Sequence, residues 1–121
     1  MDVITLSGVR AYGRHGANPG ERDAEQAFEI DVRVEMDLTG ASFSDDLGDT
    51  LNYAELHERV VGIVQSTSFA LLERLAAEIA NAVFRDPRVV RAEICIAKPQ
   101  LLDGATPGVC LRRENPRCAR R

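Results

Sequence analysis

From Phe28 onward, Ile30, Val32, Val34, Met36 and Leu38 alternate with Glu29, Asp31, Arg33, Glu35 and Asp37. A period of two sends successive side chains to opposite faces of a strand, so one face of this segment belongs in a core and the other in water. The sheet it joins is expected to be covered on one side only. Ahead of it, Val3 to Tyr12 is a shorter β-rich run, cut off by the turn-forming stretch Gly13-Arg14-His15-Gly16 and Asn18-Pro19-Gly20. Past an acidic loop or short helical turn with Asp45, Asp46 and Asp49, the period changes. Leu56, Val60, Ile63 and Val64 recur at helical spacing behind Asn52, an N-cap residue with Glu55 three positions on, which predicts a helix to about Gln65. Leu72, Leu75, Ala76, Ile79 and Val83 predict a second helix from near Ser68 to Phe84, ended by Asp86-Pro87. Alternation returns in Val90, Ala92, Ile94 and Ile96 up to Lys98, and Val109 to Arg113 reads as its partner strand.

This order, ββααββ, predicts an α+β domain in which a four-stranded antiparallel sheet carries two helices on one face. Residues 1–114 make the domain, and 115–121 are expected as a short basic C-terminal tail that frays. The long first hairpin leaves strand edges to be paired or covered, so ring formation by sheet extension between copies is expected.

Composition removes several functions. With 121 residues, 45% hydrophobic and 28% charged, the chain needs no second domain, and its net charge of −4 argues against wholesale binding to nucleic acid or anionic membrane. No run is long enough to span a bilayer, and Met1-Asp2-Val3-Ile4 lacks the basic segment and apolar core of a signal peptide, so a cytoplasmic location is expected. Cys95, Cys110 and Cys118 are odd in number and lack metal or redox spacing. They are expected as free thiols, two of them small apolar fillers in strands.

Candidate chemistry begins with a bias. Of fifteen basic residues fourteen are arginine, and the one lysine, Lys98, ends an alternating run directly before Pro99. An amine can be desolvated and give up its proton, whereas a guanidinium stays charged. Lys98 is therefore either a proton carrier or a surface lysine left by composition bias. His15 and His57 have no partner at metal spacing, so no metal is expected; they read as a loop and a helix-surface histidine. The stretch Gly13-Arg14-His15-Gly16 leads into another strand and not a helix, which excludes a phosphate loop, and no serine elbow or cysteine dyad is present. Four polar residues then stand out: Lys98, Tyr53 at a helix start, Glu73 between Leu72 and Leu75, and Glu21 after the Asn18-Pro19-Gly20 turn. A glutamate beside an apolar helix stripe is ordinarily solvated, yet a carboxylate there can also take two parallel hydrogen bonds from an amidine-like edge of a guanine or pterin. Tyr53 can pack, stack or pass a proton.

Four motifs in order carry a resemblance. Tyr12-Gly13-Arg14-His15-Gly16-Ala17 with Glu21 and Gln26-Ala27-Phe28-Glu29-Ile30-Asp31-Val32 comes first, then Ser44-Asp45-Asp46-Leu47 with Asp49-Thr50-Leu51-Asn52-Tyr53. Leu71-Leu72-Glu73-Arg74-Leu75-Ala76 and Ile96-Ala97-Lys98-Pro99 complete it. Over residues 3 to 114 the chain resembles dihydroneopterin aldolase, the retro-aldol enzyme of folate biosynthesis. The resemblance implies the tunnelling fold (T-fold), a homo-oligomeric ring, tetramer or octamer, with active sites between subunits, and a small pterin substrate. It implies that Glu73 anchors the pterin, helped by backbone groups near Leu51 and Leu72, and that Tyr53 comes from the adjacent subunit. Thr50 and Ala17 are carried over as further substrate contacts. Lys98 becomes the principal acid/base residue, Tyr53 a contributor to protonation, and Glu21 a group ordering the substrate side chain or catalytic water.

The implied reaction supplies its own electron sink, the N5=C6 imine of 7,8-dihydroneopterin, so no cofactor is expected and Lys98 works without a Schiff base. Epimerisation at C2′ is an implied side activity. Gln100-Leu101-Leu102-Asp103-Gly104 departs from the proline-rich turn of many relatives and is expected to alter access. Two alternatives remain: an epimerase of the same fold acting on dihydroneopterin triphosphate, for which Arg14, Arg22 and Arg74 are candidate phosphate contacts, and a non-catalytic pterin-binding ring module.

Overall fold

The computed structural model describes residues 1–99 and 101–118. Strands β1 (Asp2–Gly13) and β2 (Gln26–Met36) form the first hairpin, followed by a short helix α1 (Thr39–Ser44), the two long helices α2 (Tyr53–Ser66) and α3 (Leu72–Val83), and strands β3 (Arg91–Ala97) and β4 (Gly108–Glu114). The sheet runs β1-β2-β3-β4 with every pairing antiparallel, so β1 and β4 are its edges. The expected α+β, ββααββ architecture is observed, with α1 as an addition too short for periodicity to show.

The alternation in β2 does what a period of two requires. Phe28, Ile30, Val32, Val34 and Met36 are buried against Leu56, Val60 and Val64 of α2, Leu75, Ile79 and Val83 of α3, and Ala92, Ile94 and Ile96 of β3. The opposite sheet face is a charged ladder. Arg91 lies between Glu35 (3.1 Å) and Glu114 (2.6 Å), and Arg112 reaches Glu93 at 3.4 Å. In β1 the register slips between Leu6 and Val9, where Gly8 takes a left-handed φ of 71° and donates its N–H to Asp31 Oδ1 at 2.7 Å.

Three expectations need correction. Cys95 and Cys110 are not free thiols: they are directly opposite in the β3–β4 register, with Cα atoms 4.0 Å apart, and form a disulfide, leaving Cys118 as the free, buried cysteine. Spacing along the chain does not reveal a hairpin register. The second helix begins at Leu72 and not near Ser68, because the preceding backbone is used elsewhere, as described below. Nor does the chain fray after Glu114. Asn115 is fully buried, its side-chain amide donating to the carbonyls of Val89 (2.8 Å) and Asp86 (3.2 Å), and Cys118 is buried behind it. Residues 119–121 of the expected tail, and Gln100 of the unusual loop, lie outside the described residues. Within that loop Leu102 and Ala105 exchange backbone hydrogen bonds across Asp103-Gly104, both at positive φ, a tight two-residue turn.

Candidate active site

Lys98 continues the inward alternation of Ala92, Ile94 and Ile96, so its side chain lies on the helix-facing side of the sheet. Its backbone N–H donates to Pro107 O at 3.0 Å, and its ammonium lies 5.8 Å from the centre of the Phe28 ring. Residue 98 is only 6% exposed, a position where a lysine needs a partner. Glu21 is that partner. Its Oε2 pairs with Lys98 Nζ, while Oε1 accepts from the N–H of Asn18 at 3.1 Å. Glu21 is delivered by a single helical turn, Glu21–Asp23, that follows Gly20 at φ 79°. The ion pair with Lys98 and the backbone donors of Asn18 and Ala17 hold its carboxyl below the usual carboxylate value. Gly16 makes room for it: a Cβ there would collide with the Glu21 carboxyl group. Gln26 fixes the same turn by donating to Glu21 O at 2.9 Å.

His15 locks this assembly to the helices. The backbone N–H of Phe69 donates to Nδ1 at 2.9 Å, so the ring hydrogen sits on Nε2 and is donated to Val64 O at 2.9 Å. The ring is wholly buried and meets Phe28 edge-on, with centroids 5.3 Å apart. Burial, followed by the nearby charges of Lys98 and Arg22, lowers its pKa despite the Val64 carbonyl. Gly16 N–H donates to Phe69 O at 2.9 Å, and Ser68 Oγ donates to Arg14 O. These bonds hold Ser68 and Phe69 outside the helix, which is why α3 starts later than its apolar spacing alone predicts. At that start Leu71 offers no side-chain cap, and Leu72 and Glu73 form the first turn, with the half-buried Leu72 packed on the core and Glu73 exposed. An acidic residue there is favoured by the helix dipole, and the first N–H groups of the helix have no partner within it.

The remaining expected site residues are elsewhere. Thr50, Leu51 and Tyr53 sit at the start of α2, capped by Asn52 Oδ1, which accepts from Ala54 N–H and Glu55 N–H. Helix α2 runs antiparallel to α3, and its last turn, not its first, meets His15. Eleven residues separate Tyr53 from Val64, or ~16 Å along the helix. Tyr53 is 67% exposed. Beside the start of α2, a groove of about 400 Å³ is lined by Leu51, Asn52 and Glu55 together with Asp86, Pro87 and Arg88 from beyond the far end of α3. The structure thus brings Glu21, Ala17, Leu72, Glu73 and Lys98 to one end of the helix layer and places Thr50, Leu51 and Tyr53 at the other. No single chain assembles the whole set.

Three residues here were missed or misread from sequence. His15 lies in the loop after β1, as expected, but is buried and satisfied at both nitrogens, while Gly16 and Gln26 shape the Glu21 turn. A histidine between two glycines after a strand was the available signal. His57 is exposed on α2, as expected of a helix-surface histidine. Among the described residues, no group of three or more His, Cys, Asp and Glu side chains is placed to hold a metal ion.

Compared with known proteins, residues 4–112 match the family model of dihydroneopterin aldolase. The chain belongs to this family. It is 38% identical over 120 residues to the dihydroneopterin aldolase of Staphylococcus epidermidis, covering 94% of this chain and 98% of the relative. With that of Streptomyces coelicolor it shares 36% identity over 99 residues, 82% of this chain and 83% of the relative. The structure of E. coli dihydroneopterin aldolase in complex with neopterin superimposes with a TM-score of 0.88 at 31% identity, over 93% of this chain and 99% of that one. The architecture described above is therefore the tunnelling fold of dihydroneopterin aldolases.

Proposed function

We propose that this chain cleaves the C1′–C2′ bond of 7,8-dihydroneopterin in folate biosynthesis, at a site made by two copies of the chain, with Lys98 as the acid/base group. The aldolase activity goes with the family; the residue roles and the shared site are our reading. The observation that carries it is the one lysine of the chain, buried and paired with Glu21 just past β3, at the end of the helix layer where α3 begins with Leu72 and Glu73. Neopterin in the E. coli relative supports a pterin ligand for this chain.

In this reading Glu73 accepts the N3–H and 2-amino hydrogens of the pterin in two parallel charge-assisted bonds, beside the backbone of Leu72 and Ala17. Tyr53, Leu51 and Thr50 come from the second copy, because in one chain they lie a helix length away. Exposed Tyr53 then covers the ring, and the open edges of β1 and β4 offer the sheet extension that brings the copies together. Lys98 in its neutral amine form takes the proton of the 2′-hydroxyl through water and becomes the ammonium that Glu21 stabilises. The C1′–C2′ electron pair moves into the N5=C6 imine, and glycolaldehyde leaves. Protonation of the resulting enol-amine at C1′, with Tyr53 and water contributing, gives 6-hydroxymethyl-7,8-dihydropterin. Glu21 fixes the direction of the Lys98 ammonium and orders the water between it and the substrate.

The setting is cytoplasmic in this reading, and among the described residues no helix is long and apolar enough to cross a membrane. The experiment is incubation with 7,8-dihydroneopterin, following glycolaldehyde, the hydroxymethyl pterin and the C2′ epimer by chromatography. A folded, pterin-binding protein that yields no glycolaldehyde would sink the proposal.

A further inference from the structure

Arg88, just beyond the C-terminal end of α3, takes no part in the chemistry above, yet its guanidinium is bound on every edge. Nε and Nη2 donate to the Asp86 carboxylate at 3.0 and 2.7 Å. On the other side Nη1 donates to Gly48 O at 2.9 Å and Nη2 to Thr50 O at 3.1 Å. Both carbonyls belong to the loop that leads into Leu51, Asn52 and Tyr53. The loop's other polar bonds are short-range: Gly48 N–H to Asp46 Oδ1 at 2.9 Å, Ser44 Oγ to Asp49 Oδ2 at 2.6 Å, and Asp49 N–H to Asp46 O at 3.0 Å. They fix its internal shape. Arg88 supplies the hydrogen bonds that span 38 and 40 residues and tie that shape to the helix layer.

The bond to Thr50 O does more than tether. Thr50 C=O and Leu51 N–H belong to one peptide plane, and among the described residues no peptide is cis. In a trans peptide the two groups point opposite ways, so a carbonyl drawn to Arg88 turns the Leu51 N–H away from it. That N–H makes no hydrogen bond among the described residues. The Leu51 side chain meanwhile packs on the core, a second anchor for the segment. A single planar fork, held by Asp86, thus sets the direction of a free backbone donor two residues before Tyr53. Lysine, a point donor, could not reproduce the geometry.

We infer that Arg88 is a positioning residue that aims the Leu51 N–H and the Tyr53 ring at the pterin held by the neighbouring copy. This rests on the shared-site reading above. Arg88→Ala should raise KM for 7,8-dihydroneopterin about tenfold while kcat changes by less than about threefold, because Lys98 is untouched and water shares the protonation step with Tyr53. An unchanged KM overturns the inference. If Arg88→Ala does not assemble, Arg88→Lys makes the test in milder form, with KM between the two, and a wild-type KM for it overturns the inference equally.

Mixed assemblies locate the defect. Copies carrying Arg88→Ala mixed with copies carrying Lys98→Ala leave about a quarter of shared sites with both halves intact, so turnover with wild-type KM should return in that fraction. Tyr53→Ala mixed with Lys98→Ala is the control for the shared site itself. If the control pair regains turnover and the Arg88 pair does not regain the low KM, Arg88 does not serve the Tyr53 half and the inference falls. If neither pair recovers, the shared-site reading fails, and the inference with it.

Discussion

The two ends of the helix layer are built on opposite plans. Where α2 finishes and α3 begins, polar side chains are drawn inward and paired: His15 with Val64 O and Phe69 N–H, Lys98 with Glu21, and the Glu21 carboxylate also with Asn18 N–H. Where α2 begins, large apolar groups face outward. Tyr53 is 67%, Leu47 61% and Phe43 87% exposed, and the polar bonds serve to shape a loop. A proton carrier works best in a site of reduced solvation with its partner fixed, since charges act more strongly there. A surface that is completed by another copy must instead be left open and only its shape secured. On the proposed reading, the contrast separates the chemistry of the site from its cover within one small fold.

Removing Lys98 is the largest break available. Lys98→Ala should lower turnover by ~10³-fold, the scale of a lost general acid/base, while pterin still binds and the assembly keeps its size on gel filtration. Turnover at the wild-type rate would take Lys98 out of the mechanism. The same substitution strands the Glu21 carboxylate, whose side chain is only 11% exposed, so stability should fall as well. In Lys98→Ala/Glu21→Gln part of that stability should return while turnover does not, which separates the two roles of the pair. Glu73→Gln tests the same end for binding. Loss of a charge-assisted pair should weaken pterin affinity by about 2 kcal/mol in a fluorescence titration, and equal affinity would place the ring anchor elsewhere.

Much of this fold was open to reading from periodicity, and the reasons it stopped short are local. The alternation from Phe28 to Met36 and the apolar faces of α2 and α3 follow directly from burial on one side of a sheet, which any chain must encode in its residue pattern. The late start of α3 depends on where Phe69 spends its hydrogen bonds, and its partners His15 and Gly16 lie more than fifty residues earlier. The Cys95–Cys110 disulfide and the docking of Asn115 are likewise products of register. Lys98, Glu73 and Tyr53 could be singled out as unusual residues, but their relation came from the resemblance and not from periodicity. The resemblance already implied that Tyr53 comes from the adjacent subunit; the length and direction of α2 add the physical reason, a helix length between Tyr53 and the Lys98 end within one chain. Arg88 looked like one arginine among fourteen until its two carbonyl partners were seen.

A smaller effect should divide the two ends by pH. Burial keeps the His15 pKa below its ordinary 6.5, and protonating Nδ1 would set N–H against the N–H of Phe69. Between 6.5 and the folded value the unfolded chain therefore binds more protons than the folded one, so stability rises with pH through that window. The His15 contribution is complete above 6.5 and is lost as pH falls to the folded value. Glu21, held down by Lys98, gives stability that is complete above 4.5 and fades as pH drops through its lower folded value. At the other end Asp86, held down by Arg88, follows the same sign but only below 3.8. From pH 7.5 to 5.0 the acid should thus loosen the Lys98 end alone. Amide hydrogen exchange, corrected for its intrinsic pH dependence, should show protection falling at Gly16 and Phe69 while Thr50 stays unchanged. An equal loss at both ends would mean that His15 is not the group separating them, and the contrast would have to rest on Lys98 and Glu21 alone.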